Sequence, residues 1–204
     1  GRKSVLCTAV VVNLGILGVF KYLTFLVRTV DQLPGVAIPV PSIILPVGIS
    51  FFTFQGLSYV IDVYRNERLK STRFQDVLLY IALFPQLVAG PIVRYEDVAG
   101  EIQSRRRTLE QLAKGLRRFI VGLSKKLLIA DVCGSVVTLI YSAERSVLDS
   151  RVAWLAAVCY LLQIYFDFSG YSDMAIGLGL CFGFHFKENF NYPYISASIQ
   201  EFWR

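Results

Sequence analysis

The hydrophobic positions along this chain are gathered into blocks. Val5 to Val27, Ser42 to Ile61, Val77 to Val93, Phe119 to Tyr141 and Val152 to Phe186 are long runs with few charges, and an apolar run of about 20 residues matches a bilayer core roughly 30 Å thick. A water-soluble fold does not need so many such runs. The pattern predicts an all-α, multi-span integral membrane protein, with 1–204 forming one membrane domain.

Two blocks depart from a plain span. Val77 to Val93 is short and contains Pro85, Gly90 and Pro91, which break helices. It also lies between two basic connections, Arg65 to Arg73 and Arg94 to Arg118. Positive loops stay in the cytoplasm, so one ordinary span cannot carry a basic loop at each end. This block is expected to dip in and return, or to be a broken helix shielded by protein. The last block, Val152 to Phe186, is too long for one straight span. The string Asp167-Phe168-Ser169-Gly170-Tyr171-Ser172-Asp173 divides it, and the Gly-rich remainder is expected to be a half-helix or re-entrant element.

The second basic connection has its own helical signal. Leu109, Leu112, Ala113, Leu116, Phe119 and Ile120 recur at helical spacing, with Glu110, Lys114, Arg117 and Arg118 off that stripe. Thr108 followed by Gln111 has the form of a capping box, so a helix begins there. A basic amphipathic helix of this kind suits the anionic inner leaflet.

Composition strengthens this picture. Hydrophobic residues make up 54% of the chain, and the mean hydropathy is +0.52. The net charge of +6 sits in short segments between apolar runs, which argues for juxtamembrane loops and against nucleic acid. Cys7, Cys133, Cys159 and Cys181 each fall inside an apolar run without paired spacing, and read as buried free thiols. The chain starts at Gly1 without a signal segment and stops after an aromatic and charged cluster. It is therefore expected to be a fragment with further spans on each side.

Ionisable residues inside apolar runs mark the candidate chemistry. Lys125 and Lys126 lie near the start of their run, where they are expected to snorkel to the interface. Asp131 is deeper, and a partner lysine, a bundle-facing role and a functional role are all open to it. Asp167 and Asp173 are six residues apart and would not share a face of a continuous helix, so they would converge only if the break bends the chain. Ser169 and Ser172 do not form a nucleophile elbow. The lone His185 reads as an interfacial or packed side chain rather than a general base. Neither a metal-ligand spacing nor a phosphate or dinucleotide fingerprint is present.

Several strings together resemble the membrane-bound O-acyltransferase family, in its alginate O-acetyltransferase-like branch. They are P-V-G-I-S-F-F-T-F-Q from Pro46, Y-V-I-D-V-Y-R from Tyr59, F-P-Q-L-V-A-G-P-I-V-R from Phe84, G-L-S-K-K-L-L-I-A-D from Gly122, Y-F-D-F-S-G-Y-S-D-M-A-I-G-L-G from Tyr165, E-N-F-N-Y-P-Y from Glu188 and S-I-Q-E-F-W-R at the end. The resemblance implies a bacterial inner-membrane enzyme that takes an acetyl group from acetyl-CoA on the cytoplasmic side and passes it toward a cell-surface polysaccharide such as alginate, or toward a periplasmic partner acetyltransferase. It also implies that the family's catalytic histidine lies beyond Arg204, with none in this chain. Tunnel-lining or structural polar roles then fall to Gln86, Arg94, Lys125, Lys126, Asp131, Tyr165, Asp167, Ser169, Tyr171, Asp173, Asn189 and Asn191. For Asp167 and Asp173 a structural polar network is favoured over direct catalysis, and Gly90, Gly170, Gly177 and Gly179 suit close helix packing. The alternatives are D-alanyl transfer to teichoic acid, an ion-coupled transporter and a non-catalytic membrane scaffold.

Overall fold

The computed structural model describes residues 1–33, 39, 41–71, 73–86, 90, 93–143 and 148–202, and all regular structure among them is helical. The chain divides into two compact units, 1–88 with 94–103, and 89–93 with 104–204.

In the first unit α1 (Arg2–Asp31) covers the first apolar block in one 30-residue helix. It packs on α2 (Ile49–Arg65). The second block differs from the expectation of a span from Ser42. Residues 42–46 are not helical, and α2 begins only at Ile49, after Gly48 at φ 76°. Pro41 and Pro46 remove donors along that approach, and the left-handed turn at Gly48 is one that glycine adopts at little cost.

A 3₁₀ turn, Glu67–Leu69, leads to α3 (Phe74–Ala82), and a second 3₁₀ turn spans Phe84–Gln86. At 9 residues, α3 is about 14 Å long, half of what a span requires. The helix stops before Pro85, as the sequence predicts. The expected dip falls partly outside the described residues beyond Gln86.

This unit is pinned around α4 (Tyr95–Gln103). Tyr95 is buried edge-on between Tyr59 and Tyr80, with ring centroids 4.9 and 5.3 Å away. The Gln86 amide, itself buried, donates to the Tyr80 carbonyl at 2.8 Å.

The second unit is built on two long helical rods. One comprises α5 (Leu109–Ser124), a π-helical segment Lys125–Ala130 and α6 (Asp131–Tyr141), joined without a break. The predicted capping box is present: the Thr108 hydroxyl accepts from the Gln111 N–H and the Gln111 side chain accepts from the Thr108 N–H, both at 3.1 Å. The apolar stripe on α5 is not the packed face, since Leu109, Leu112, Leu116 and Ile120 are exposed while Gly115 and Gly122 are buried. Exposed leucines on a helix are the normal state against lipid, where small residues mark the contact between helices.

The other rod is α7 (Ser150–Cys181), 32 residues in one helix capped by the Asp149 carboxylate on the Val152 N–H at 2.8 Å. This overturns the expected half-helix or re-entrant element after Asp167. Gly170 lies inside the helix, and its missing side chain serves packing. A Cβ there would sit 2.7 Å from the Gly122 carbonyl oxygen, and one on Gly122 would sit 2.5 Å from the Gly170 oxygen. Seven residues along, Gly115 and Gly177 repeat the contact, each Cβ position 2.6 Å from the other's carbonyl oxygen. Four glycines in two pairs hold α5 and α7 in antiparallel register with their backbones touching.

α1 and α7 are the two described helices long and apolar enough to cross a membrane, and only 6% and 11% of their most apolar windows are buried. A core helix of a soluble protein would be mostly buried, whereas lipid satisfies an apolar surface left outside.

Candidate functional site

The glycine contacts bring a line of charges together. Arg118 on α5 and Lys125 at the start of the π segment continue the stripe of Gly115 and Gly122, at intervals of three and four residues, and Asp173 lies between Gly170 and Gly177 on the facing stripe of α7. The Arg118 guanidinium donates through Nε and Nη2 to Asp173 Oδ1 at 3.1 and 2.8 Å. Lys125 Nζ donates to the other Asp173 oxygen at 2.6 Å. Glu188, in the loop after α7, closes the set on Arg118, with Nη1 to Oε1 at 2.5 Å and Nη2 to Oε2. The Glu188 carboxylate first, and then Asp173, hold the Arg118 guanidinium above its ordinary pKa against the opposing effect of burial.

The quartet is electrically neutral, two cations against two carboxylates. Asp173 is its best-shielded member, with its side chain 16% exposed. Both of its oxygens are engaged, which is what a carboxylate removed from water requires.

A second cluster lies beside it. Lys126 Nζ meets Asp167 Oδ1 at 2.5 Å and Asp131 Oδ1 at 3.7 Å. The π segment makes the second contact possible. The Asp131 N–H bonds back to the Lys126 carbonyl, so residues five apart are one turn apart. The partner lysine left open for Asp131 is thus Lys126. Neither lysine is left to snorkel alone; each neutralises an α7 aspartate. Asp167 and Asp173 face the same neighbouring rod without any break between them. Six residues place them about 120° apart around α7, and adjacent lysines on the rod reach them on either flank of the seam.

The quartet forms one wall of a cavity of about 290 Å³. Tyr165, Phe190, Asn191 and Tyr192 also line it, together with Ser169 and Ser172. Each serine is 2% exposed, and both hydroxyls lack a hydrogen-bond partner among the described residues. Two unpartnered buried hydroxyls cost free energy unless something else satisfies them. The loop that closes the cavity carries Tyr192 at φ 47°, a conformation that a bulky residue adopts only when its surroundings force it.

Of the residues singled out from sequence, Lys125, Tyr165, Ser169, Asp173 and Asn191 meet at this cavity. Lys126, Asp131 and Asp167 form the flanking cluster. Asn189 lines a neighbouring aromatic hollow with Phe168 and Tyr194, and Tyr171 lines neither. Gln86 and Arg94 belong to the first unit: Gln86 is buried against Tyr80, and Arg94 is exposed. His185 is exposed, with Nε2 3.4 Å from the Gln111 amide that completes the α5 cap. Sequence reasoning missed Arg118, Glu188 and Ser172. The signal for Arg118 was the seven-residue repeat of glycines around it, which marks a helix seam as surely as leucines do.

The helical rods and the partly buried polar cluster between them define a helical membrane protein with a charged, cavity-bearing seam. Residues 47–204 match the family model described as MBOAT, membrane-bound O-acyltransferase family, and the chain belongs to this family. It is 44% identical to the "Probable alginate O-acetylase AlgI" of Pseudomonas aeruginosa, over 98% of this chain and 39% of that protein. Identity to the "Peptidoglycan O-acetyltransferase" of Helicobacter pylori is 33%, over 100% of this chain and 44% of that protein. The "Teichoic acid D-alanyltransferase" of Bacillus subtilis is more distant at 26%, over 81% and 42%. The chain thus spans about two fifths of the length of the curated relatives it matches.

Proposed function

We propose that the whole protein is an O-acetyltransferase of the bacterial inner membrane, crossing it several times. It takes an acetyl group from a donor such as acetyl-CoA on the cytoplasmic side and passes it toward a cell-surface polysaccharide such as alginate, or toward a periplasmic partner acetyltransferase. The relatives that match over nearly the whole chain support the reaction class. The observation that carries the reading is the cavity at the α5–α7 seam. Its charges cancel within the quartet, its buried unpartnered groups among the described residues are the Ser169 and Ser172 hydroxyls, and Tyr165, Phe190 and Tyr192 give it an aromatic lining. Such a lining suits a carbonyl- or amide-bearing chain better than an exposed phosphate.

In this reading Ser169 and Ser172 hold the acyl carrier by hydrogen bonds, the quartet keeps the two rods in register around it, and the closed seam restricts water near the thioester. Transfer breaks the acyl C–S bond, forms a C–O ester, and leaves the thiol with the acceptor's proton. The test is transfer from labelled acetyl-CoA in membranes carrying the whole protein. Ser172→Leu, which adds bulk to the cavity lining, is expected to lower transfer by about tenfold or more at equal protein abundance. Unchanged transfer in that variant removes the cavity from the reaction. No transfer by the unaltered protein, where a relative is active, removes the reaction itself.

The same reading places both basic connections, 65–73 and 94–118, in the cytoplasm, with the block between them dipping in and returning. Cysteines introduced at 70 and 105 in a background without the native thiols should then react with an impermeant maleimide from the same side. Labelling from opposite sides rules out the dip.

A further inference from the structure

A second cavity lies in the first unit and shares no lining residue with the candidate site. About 300 Å³ in volume, it is a groove between the start of α1 and the end of α2, walled by Val5, Leu6, Val60 and Val63, with Tyr64 and Arg2 at its mouth. Tyr59 forms part of its lining and is held in place: its hydroxyl accepts from the Ser71 N–H at 3.2 Å and its ring packs against Tyr95 at 4.9 Å. The groove is thus a fixed apolar slot rather than a gap that side chains could fill.

Its mouth is cationic. Arg2 is the cation that lines it, and Lys3, Arg65, Arg68, Lys70 and Arg73 lie nearby along α1, α2 and the turn that follows; the acids of these segments are Asp62, Glu67 and Asp76, and α4, which packs on that turn and on α3, adds Glu96, Asp97 and Glu101. Of those acids, Asp62 accepts from Ser58 and Asp76 from Ser71. Arg2 bridges the two helices, with Nη2 2.9 Å from Glu67 Oε1 and its guanidinium 5.8 Å from the Tyr64 ring centroid. That ion pair is 58% and 70% exposed, so it is weak and readily exchanged for another anion.

We propose that this groove is a phospholipid site, in which one acyl chain of an anionic lipid lies along Val5, Leu6, Val60 and Val63 while its phosphate pairs with Arg2 and the neighbouring cations. Charge complementarity selects this occupant. An apolar slot opening onto basic residues beside the C-terminal end of α2 matches the order of groups in an anionic lipid at the cytoplasmic leaflet. A water-soluble anion would use the rim but leave the slot empty, and a zwitterionic lipid would use the slot without the gain from the rim.

Native mass spectrometry of the whole protein, released from detergent after titration with phosphatidylglycerol or phosphatidylcholine of identical acyl chains, tests the assignment. The unaltered protein should retain phosphatidylglycerol about fivefold better, the effect of roughly one cation at a membrane surface. Arg2→Gln should bring the two lipids close to parity, and Val60→Trp should remove retention of both. If Val60→Trp lowers the melting temperature, Val5→Trp closes the slot from the other helix and reads the same quantity. Equal retention of the two lipids by the unaltered protein overturns the proposal. So does retention unaffected by both tryptophans, displacement of the lipid by inorganic phosphate, or the absence of any retained lipid, which would mean that another part of the protein covers the groove.

Discussion

Gly122→Ala should destabilise the protein by about 2–3 kcal/mol, as measured by the melting temperature of the whole protein in detergent. By helix propensity alone the substitution would gain up to about 1 kcal/mol. The sign reverses because the added Cβ would lie 2.5 Å from the Gly170 carbonyl oxygen and 2.8 Å from the Met174 nitrogen. Both are backbone atoms of α7 and cannot rotate away. The rods would have to separate, which loosens every contact along the seam, including the charge quartet. Gly100→Ala in α4 is the control. No atom lies within 4 Å of its Cβ position, so propensity decides and stability should hold or rise. A Gly122→Ala protein as stable as the parent would mean that α5 and α7 do not touch at this register.

The second large effect is expected at Asp173. Asp173→Asn keeps the shape of the side chain but leaves Arg118 and Lys125 facing a neutral amide in a partly buried site. Removing one member of a fully buried ion pair costs about 3–5 kcal/mol. Arg118 and Lys125 are about 30% exposed, and Glu188 remains on Arg118, so a loss of about 2 kcal/mol is expected after screening. Asp167→Asn should cost less than about 1 kcal/mol, because Asp167 is 52% exposed. Coupling separates the network from simple loss of charge: Asp173→Asn combined with Lys125→Gln should destabilise by clearly less than the sum of the two. Additive losses, or equal losses at 167 and 173, would show that Asp173 does not organise the quartet.

Much of the helical skeleton is legible along the chain. The first apolar block is one helix, the capping box at Thr108 and Gln111 starts α5, and α3 ends before Pro85. Each of these depends on residues within a turn or two of one another, where a side chain either can or cannot satisfy a nearby backbone group. The misreading of α7 has a local origin. A glycine beside polar residues in an apolar run has two opposite meanings, a break in a helix or a contact between helices, and the local pattern around Gly170 is the same for both. Only the presence of Gly122 on the facing rod distinguishes them.

The candidate site shows the same division. That Lys125, Lys126, Asp167 and Asp173 stand in apolar surroundings is a property of the sequence, and it marks them as residues needing partners. Which lysine meets which aspartate depends on helices 41 to 48 residues apart lying in one register, and on the extra residue per turn that the π segment introduces. Arg118 and Glu188 are 70 residues apart in the sequence, and only the fold brings them into contact beside one cavity. The sequence by itself determined that this is a helical membrane protein of the O-acyltransferase family, because apolar length and local capping are near-neighbour properties. The tertiary structure alone decided that α7 is continuous and that its two aspartates are neutralised by one neighbouring rod, because the energy of a charge inside a membrane protein is set by what lies across from it.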